Sequence, residues 1–529
     1  MTPFDVVIPA SARPQLAVSL RALAAARGPA PRLVIVIDDR PGPVDPPGSL
    51  DGEAPAALRD RLVVLPGLGR GPVAARDLGW RAGTAPWIVF LEAGSAPWPD
   101  WLAALATDLS GAAEEAGAVR GHVRAPTEGD APVGPKVALV AAGPARRGTQ
   151  DVAYRRSAVM EAGGFDERFE TVAGAEADLA VRMDAAGWSG MVGSRSVTSP
   201  AVEADPWQSL RLAAEIRDEA LLRTIHGRAW RRRVAEAMRS EGLPGEGGRA
   251  RLVRIVAQAA TTTAGLGAIL AFRTGRAKLA GRAGAAWAAG TAAFAWSLLP
   301  RGRVDRTAVR AALTAGALVP PVALALQVVG QARSRVVVRG PGPAPSRADG
   351  TGPPRAVLFD RDGTLVVPAS FDHDLERVQP MPGAARALGR LRASGVAVGM
   401  VSDGGPPSSR PRRRAEARRL DRRVEELLGP FDVVATCTHG RAEGCRCRKP
   451  APGNVIWAAH RLGVDPSACA VVGDADEDVV AGLAAGARAV LVPNGTTSGG
   501  ALRWAPEVEP TIEGAVDLLL HGSRGGAAR

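Results

Sequence analysis

The stretch 357-VLFDRDGTL-365 is an apolar run that ends in two carboxylates one residue apart. A buried parallel strand is such a run, and doubly wound sheets bind ligands just beyond the carboxyl ends of their strands. Asp360 and Asp362 are therefore predicted to meet in a crevice, close enough to share a cation and divide nucleophilic and acid–base roles. Because Asp-Gly is also a common turn dipeptide, this stretch by itself is also compatible with a simple turn that has no catalytic role.

Three later stretches add polar groups in a fixed order. A second apolar strand ends at Ser402, Lys449 stands directly before a proline, and a third strand ends in Asp474, with Asp478 four residues further on. This order resembles the motifs of the haloacid dehalogenase (HAD) superfamily of phosphatases. The resemblance implies an α/β domain that is open to a small phosphorylated substrate.

The chemistry of phosphate-ester hydrolysis then suggests a role for each of these residues. Asp360 is the expected nucleophile, forming an aspartyl-phosphate, and Asp362 the expected general acid and base. Ser402 and Lys449 are expected to bind the phosphoryl oxygens. A Mg²⁺ ion would be held by Asp360, the Asp362 carbonyl and Asp474, with Asp478 supporting the loop. The family's usual Thr-Asn is replaced by Ser402 and an acid, Asp403, which leaves substrate affinity and identity open.

Three of the four cysteines lie close together in sequence and share their segment with a histidine. Soft donors at this spacing predict a closed, tetrahedral structural zinc site, with unrelated free thiols as the alternative. This predicted zinc motif ends two residues before Lys449, which suggests that the metal fixes the loop that carries this lysine. The motif resembles D-glycero-D-manno-heptose 1,7-bisphosphate phosphatases and histidinol-phosphate phosphatases, so a sugar phosphate or histidinol phosphate is the implied substrate. The predicted ligands are Cys437, His439, Cys445 and Cys447.

Composition limits the function classes. The 529 residues suggest several domains, and 46% hydrophobic residues are enough for proper cores. The formal charge is +12, but aromatic residues make up only 4% and no nucleic-acid motif is present, so nucleic-acid binding is not predicted. The chain starts without a basic and then apolar leader, which favours a cytoplasmic location over secretion.

The first 200 residues alternate between strand and helix patterns. Strands are predicted at 4–8, 33–37, 63–65 and 87–91, with helices at 14–27 and 71–82. Such alternation predicts a mainly parallel sheet. No Gly-x-Gly-x-x-Gly follows the first strand, so a dinucleotide-binding fold is not supported.

This region is similar to the nucleotide-sugar domain of family-2 glycosyltransferases, which has the GT-A fold. The similarity is carried by Ile8-Pro9, Ile37-Asp38-Asp39, the segment 71–76, the segment 163–167 and the acids that follow. It implies that Asp38 or Asp39 holds the base or ribose of a nucleotide-sugar and that Arg76 lies near the diphosphate. It also implies that Glu176 or Asp178 is the base acting on an acceptor hydroxyl.

One departure weakens the transferase interpretation. The family places Asp-x-Asp after the central strand to hold Mn²⁺ or Mg²⁺, whereas this chain has Glu92-Ala93-Gly94. A single acid is a poor site for a cation that needs several oxygen ligands. Two interpretations therefore remain open: a phosphatase fused to an active glycosyltransferase in surface-glycan or activated-sugar synthesis, or a phosphatase whose first domain only binds or tethers.

The region between the two domains has a different composition. Three nearly uncharged segments, 255–272, 283–300 and 311–332, are each bracketed by arginines, and their length is close to that of a bilayer core. Association with the inner face of the plasma membrane is one expectation, either as two spans with one interfacial helix or as three interfacial helices, with Trp287 and Trp296 as interface anchors. A helical bundle packed on the first domain is the alternative.

The predicted fold class is α/β, with two doubly wound three-layer domains joined by an Ala-rich helical region. The predicted boundaries are 1–204 for the transferase-like domain, 205–339 for the helical region, 340–354 for a Pro/Gly linker and 355–522 for the phosphatase domain.

Overall fold

The chain folds into two α/β units with helices between them, which confirms the predicted fold class. The computed structural model describes residues 2–40, 55–124, 150–199, 208–238, 248–298, 309, 352–367, 375–403, 410–440 and 443–522. The predicted segment 311–332 and residues 340–351 of the predicted linker lie outside this part of the chain.

The first unit is built on an eight-stranded sheet of order β3-β2-β1-β4-β7-β6-β8-β5. Strands β3, β2, β1 and β4 are parallel, as predicted, but β7 runs antiparallel to both β4 and β6, so the second half is mixed. The strands are β1 Phe4–Ala10, β2 Val34–Asp38, β3 Leu62–Pro66, β4 Trp87–Leu91, β5 Ala96–Pro97, β6 Ala116–Arg124, β7 Asp151–Arg155 and β8 Ser189–Thr198.

Alternate side chains of these strands enter two separate cores, because successive residues of a strand point to opposite faces of a sheet. Val7 and Ile35 lie in the core under α2, α4 and α5, whereas Val6 and Val34 lie in the core under α1 and α3. Both faces are therefore covered, which is the three-layer arrangement. The helices are α1 Arg13–Ala25, α2 Pro72–Ala82, α3 Trp101–Ser110, α4 Arg156–Ala162 and α5 Val172–Ala185.

Four helices follow: α6 Gln208–His226, α7 Trp230–Ala237, α8 Gly248–Arg273 and α9 Ala277–Leu298. Helices α6 and α7 pack on α5, and α8 and α9 pair as a hairpin that contains the nearly uncharged segment 255–272 and residues 283–298 of the next one. Across the helices that the structure describes, none combines the length and the apolarity that a membrane crossing requires.

Asp218 joins α6 to the start of α5. Its carboxylate accepts hydrogen bonds from the backbone N–H of Glu170 at 2.9 Å and from the backbone N–H and hydroxyl of Thr171 at 2.7 and 2.6 Å. The side chain is buried, and burial raises its pKa from 3.8 to about 6, with a smaller contribution from the charge of Glu170.

The raised pKa of Asp218 predicts a pH-dependent stability. Between pH 4 and 6 the folded chain holds a proton that the unfolded chain releases, so the free energy of unfolding should fall as pH rises through this window, by on the order of 3 kcal/mol. Asp218→Asn should flatten that part of the profile. Thermal unfolding from pH 4.5 to 7 tests this, with the exposed Asp184→Asn on the same unit as control; parallel profiles for all three proteins would contradict it.

The second unit has a five-stranded, all-parallel sheet of order β11-β10-β9-β12-β13, so the strand carrying Asp360 at its end is central. Helices cover both faces. Val357 and Phe359 point into one core, and Ala356 and Leu358 into the other. The elements are β9 Ala356–Phe359, α10 Ala384–Ala393, β10 Ala397–Asp403, α11 Arg410–Leu428, β11 Val433–Cys437, α12 Gly453–Arg461, β12 Cys469–Gly473, α13 Asp476–Ala484, β13 Arg488–Leu491, α14 Gly499–Trp504 and α15 Ile512–His521.

The two units are in contact through α2 and α13. One buried apolar cluster contains residues of both, among them Trp80 of the first and Leu483 of the second. At its edge, Arg70 Nη1 donates a hydrogen bond to the Ala484 carbonyl at 3.0 Å. The second unit is thus packed directly against the first, helix against helix.

Candidate functional site

Asp360 follows the last residue of the central strand β9, and its backbone N–H donates to the Val472 carbonyl of β12 at 2.8 Å. The side chain is only slightly exposed. Burial raises its pKa well above the ordinary value, and the charges of Asp478 and Asp362 raise it further, while Lys449 opposes them. An acid in such surroundings is stabilised as a carboxylate by any cation bound beside it.

Three buried acids meet at this edge of the sheet. Single carboxylate oxygens of Asp360, Asp474 and Asp478 all lie within 4.8 Å of one another. Asp474 accepts hydrogen bonds from Thr364 Oγ1 at 3.0 Å and Asn494 Nδ2 at 2.8 Å. Burial raises the pKa of Asp474, and so does Asp478. Clustered carboxylate oxygens with partly uncompensated charge match the ligands that Mg²⁺ prefers, so the donor set fits this cation.

Lys449 lies within this cluster. Its Nζ donates to carboxylate oxygens of both Asp360 and Asp478 and to the Val401 carbonyl at 3.4 Å. Burial alone would lower the pKa of Lys449, but the two carboxylates outweigh it and raise the pKa. The side chain therefore remains an ammonium group at neutral pH, which is what a phosphoryl-binding group requires.

Ser402 lies at the carboxyl end of β10, beside the acids. Its side chain is completely buried, and its Oγ has no hydrogen-bond partner within the described part of the chain. A buried hydroxyl without a hydrogen-bond partner is unfavourable unless a bound ligand forms the missing hydrogen bond. This position suits a donor to a phosphoryl oxygen.

Asp403, the acid that replaces an amide, has a positioning role. Its Oδ1 accepts a hydrogen bond from the backbone N–H of Lys449 at 3.1 Å, and its other oxygen lies 3.7 Å from Arg448 Nε. The carboxylate thus holds the lysine loop beside β10. The sequence shows the replacement but not this contact.

The side chain of Asp362 is not part of the acid cluster. Its Oδ2 accepts hydrogen bonds from Arg361 Nε at 3.1 Å and Nη2 at 2.6 Å. Arg361 is completely buried and donates from Nη1 to Asp421 at 2.9 Å, and Asp421 accepts from Thr436 Oγ1 at 2.9 Å. Asp478 therefore joins the predicted metal ligands Asp360 and Asp474. Asp362 can contribute its backbone carbonyl oxygen but not its side chain.

This buried network predicts that Asp421→Ala lowers both stability and turnover. Arg361 would lose one of its two carboxylate partners, so stability should fall by about 2–3 kcal/mol, and turnover should fall because Asp362 loses its orientation. Unfolding and phosphate release by the full chain measure both. Asp517→Ala, which breaks the part-exposed pair with Arg390, is the control and should cost less than about 1 kcal/mol. Equal losses for the two variants would contradict the prediction.

Gly363 and Asn494 complete the site. Gly363 has φ 91°, and a Cβ there would lie 2.5 Å from Asp474 Oδ2, so only glycine permits this approach. Asn494 Nδ2 bridges Asp474 and the Gly363 carbonyl at 2.8 and 3.0 Å. The sequence prediction missed Asn494, although its place shortly after the last strand was an available signal.

The predicted zinc ligands converge. The three sulfur–sulfur distances among Cys437, Cys445 and Cys447 are 3.5, 3.5 and 3.7 Å, and His439 Nδ1 lies 3.6 and 3.2 Å from the sulfurs of Cys437 and Cys447. Ligands about 2.3 Å from a tetrahedral zinc are separated by about 3.8 Å, so the donor set fits Zn²⁺.

The cluster is tied to the lysine loop. The backbone N–H of Arg448 donates to Cys445 Sγ at 3.3 Å, and Arg448 Nη1 donates to the His439 carbonyl at 3.1 Å. Since Lys449 is the next residue, an ordered cluster fixes the backbone from which the lysine extends.

In the first unit, Asp38 and Asp39 lie at the carboxyl end of β2 and just beyond it. Asp38 pairs with Arg40 at 2.6 Å, and Asp39 Oδ2 accepts from the backbone N–H of Gly71 at 2.9 Å. Asp39 Oδ1 is buried without a hydrogen-bond partner in the described residues, so it is available to a ligand hydroxyl. A small pocket is lined by Ala10, Ala12, Arg13, Leu16, Asp38 and Arg40.

The other predicted transferase residues form buried ion pairs. Arg120 Nη1 lies 3.0 Å from Glu176, and Arg76 Nε lies 3.9 Å from it. Asp178 pairs with Arg182 at 2.6 Å and with His226 Nε2 at 2.8 Å. These acids are surrounded by cationic or imidazole groups, an arrangement more typical of a structural network than of a general base.

Glu92 is separate from these residues. It follows β4 and is half-buried, and its carbonyl accepts a hydrogen bond from the backbone N–H of Ser95 at 2.9 Å. Among the described residues of the first unit, no three His, Cys, Asp or Glu side chains come together in a way that could hold a metal.

Known proteins match the second unit most clearly. The HAD-hydrolase-like family model matches residues 446–517. The D-glycero-beta-D-manno-heptose-1,7-bisphosphate 7-phosphatase of Pseudomonas putida is 35% identical over 150 residues, which are 27% of this chain and 83% of that protein. These matches and the site define a HAD-type phosphatase, which is a hydrolase. Through its C-terminal unit, the chain belongs to the family of the heptose-1,7-bisphosphate 7-phosphatases.

Two solved structures are each similar to part of the chain. The D,D-heptose 1,7-bisphosphate phosphatase of B. bronchiseptica, complexed with magnesium and phosphate, covers 31% of this chain and 97% of its own, at 24% identity and a TM-score of 0.27. S. aureus TarS 1–349, in complex with UDP, covers 45% of this chain and 71% of its own, at 13% identity and a TM-score of 0.29. With scores this low, the fold assignment rests on the strand orders of the two sheets.

Proposed function

We propose that the second unit hydrolyses a phosphate monoester of a small sugar, with a heptose bisphosphate-like substrate, through an aspartyl-phosphate on Asp360. The observation that supports this most is the convergence of Asp360, Asp474 and Asp478 with the Lys449 ammonium at the end of the central strand. A phosphate ester resists attack because its oxygens are negative, and this site combines a nucleophile with the means to offset that charge.

Two steps follow from the arrangement. Asp360 attacks phosphorus in line as the bond to the sugar oxygen breaks, and Asp362 gives its proton to that oxygen. Asp362, now a carboxylate, then takes a proton from water as the water attacks phosphorus. This releases inorganic phosphate and restores the Asp360 carboxylate. Lys449 and Ser402 hold the phosphoryl oxygens, and Arg361 fixes the orientation of the Asp362 carboxylate through two hydrogen bonds.

The acid cluster would hold Mg²⁺ through Asp360, Asp474 and the carbonyl of Asp362, with Asp478 as a further carboxylate. Its charge would offset that of the phosphoryl oxygens. Zn²⁺ would be held by the Cys/His cluster in a structural role, because all four donors are protein side chains and no open position is needed.

A phosphate-release screen of the full chain tests the substrate class. The panel should contain D-glycero-D-manno-heptose 1,7-bisphosphate, other sugar mono- and bisphosphates and histidinol phosphate, with Asp360→Asn as the blank. We expect the highest kcat/KM for a sugar bisphosphate. A preference for histidinol phosphate would select the alternative substrate, and no release above the blank from any compound would contradict the proposal.

For the first unit we propose nucleotide-sugar binding without an essential cation. The pocket beside Asp38 and the unpartnered Asp39 Oδ1 support binding, while the ion pairs of Glu176 and Asp178 count against a general base. An active glycosyltransferase, with the cation that the family uses, remains the alternative.

Titration of UDP-sugars into the full chain separates these two interpretations. We expect binding that is independent of Mn²⁺, is weakened by Asp38→Asn and is unchanged in the exposed control Asp60→Asn, with no release of UDP. Mn²⁺-dependent binding with UDP release in the presence of acceptor sugars would favour the transferase. Absence of binding would contradict both.

A further inference from the structure

The hairpin of α8 and α9 has an unusual charge. Residues 248–298 contain seven arginine and lysine residues and no aspartate or glutamate. The four basic residues nearest the turn, Arg273, Arg276, Lys278 and Arg282, are all exposed, and none pairs with a described carboxylate. The end of the hairpin is therefore strongly cationic and uncompensated within the described residues.

The same end carries large exposed apolar side chains. Phe272 is 80% exposed and Leu270 65%, with Leu266, Ile269 and Leu279 each more than half exposed. Leu266, Ile269 and Leu270 share one helix face, since residues three and four apart are neighbours on a helix. We call residues 266–282 the hairpin tip. A cluster of large exposed apolar side chains of this kind marks an interaction site.

The packing between the helices explains why the large residues point outward. A Cβ on Gly290 would lie 2.2 Å from Thr261 Oγ1, and a Cβ on Gly265 would lie 2.8 Å from Trp287. The helices thus approach closely through small residues, as helices in lipid often do. An ordinary soluble hairpin buries its leucines and phenylalanines between the helices, whereas this one presents them at its tip.

We infer that the hairpin tip docks on the surface of an anionic lipid bilayer. Its apolar side chains would enter the interface, and its four basic side chains would contact the headgroups, as in other interfacial helices rich in arginine and lysine. Charge complementarity is the reason to choose this occupant over a neutral apolar partner. The tip is independent of the phosphatase site, so the inference does not depend on the proposed substrate.

The inference refines the predicted anchoring residues. Trp296 is 79% exposed but lies near the far end of α9, about 20 Å along the helix from the tip at 1.5 Å per residue. Trp287 packs against the glycine side of α8. Phe272 and Leu270 replace these tryptophans as the expected inserted residues.

Vesicle co-sedimentation of the full chain tests the inference. Wild type should bind vesicles of 60% phosphatidylcholine and 40% phosphatidylglycerol at low salt, and should lose most of this binding in 0.5 M NaCl or with phosphatidylcholine alone. Leu270→Ser with Phe272→Ser, and separately Arg276→Glu with Lys278→Glu, should each weaken the partition by roughly tenfold or more. These four residues are exposed, so the variants should fold.

Matched controls use exposed residues elsewhere: Leu502→Ser, and Arg418→Glu with Arg419→Glu, should bind as wild type does. Three results would overturn the inference. These are no binding by wild type, equal binding by wild type and the tip variants, or binding that appears only after deletion of residues 310–339. The last result would show that a segment of the chain itself covers the tip.

Discussion

Asp360→Asn should reduce phosphate release by at least about a thousandfold, because the amide cannot form the acyl-phosphate that the proposed route requires. The change keeps the size of the side chain and removes one buried charge. Lys449 retains Asp478 as its partner. Folding should therefore be unaffected, and the melting temperature should stay within a few degrees of wild type.

The control for this variant is Asp476→Asn. Asp476 lies at the start of α13, at the same edge of the sheet, but outside the group of converging acids. This change should leave turnover close to wild type. Substantial turnover by Asp360→Asn, or an equal loss in the control, would refute the nucleophile assignment.

Cys445→Ser should remove the structural metal and lower both stability and turnover. A zinc site with four protein ligands contributes folding free energy directly, so loss of one thiolate should lower the melting temperature of the second unit by several degrees or more. Turnover should fall as well, because the backbone N–H of Arg448 donates to Cys445 and Lys449 follows directly. Metal analysis, thermal unfolding and phosphate release measure the three effects.

Cys469→Ala separates the loss of metal from the loss of a thiol. Cys469 is buried at the start of β12 and lies outside the Cys/His cluster. Its removal should cost some packing energy but leave the zinc content unchanged. Zinc-free wild-type protein after expression with added zinc would contradict the structural-metal proposal, and so would an unchanged melting temperature in Cys445→Ser.

The positions that could be predicted are those set by local pattern. The run before Asp360 stops abruptly at a charged residue, and so does the run before Asp474, so strand ends could be located within a residue or two. Parallel strands bring their carboxyl ends to one edge, which is why residues far apart in sequence could be placed together. The spacing of the cysteines and the histidine is also a local pattern, so the candidate zinc ligands could be chosen from the sequence.

The contacts that were missed join residues at long separation. Arg361 meets Asp421 sixty residues away, and this pair turns the Asp362 side chain away from the other acids. Glu176 meets Arg120 across 56 residues. No pattern in the sequence ties such partners together, because each side chain is also compatible with a solvated position.

The mixed half of the first sheet was missed for a related reason. Strand β7, Asp151–Arg155, is short and fully apolar only at its centre, and it follows a long stretch that separates it from β6. The alternation of strand and helix predicts parallel pairing, whereas β7 pairs antiparallel with β4. Strand direction depends on the connection, and the residues of a strand do not encode it.

Phosphate release by the full chain as a function of Mg²⁺ is the most direct test that the acid cluster at the end of β9 is a catalytic phosphatase centre. With a sugar bisphosphate as substrate, we predict no turnover after gel filtration into metal-free buffer, recovery on addition of Mg²⁺, and no recovery in Asp360→Asn. Turnover that is independent of Mg²⁺, or that persists in Asp360→Asn, would contradict the account.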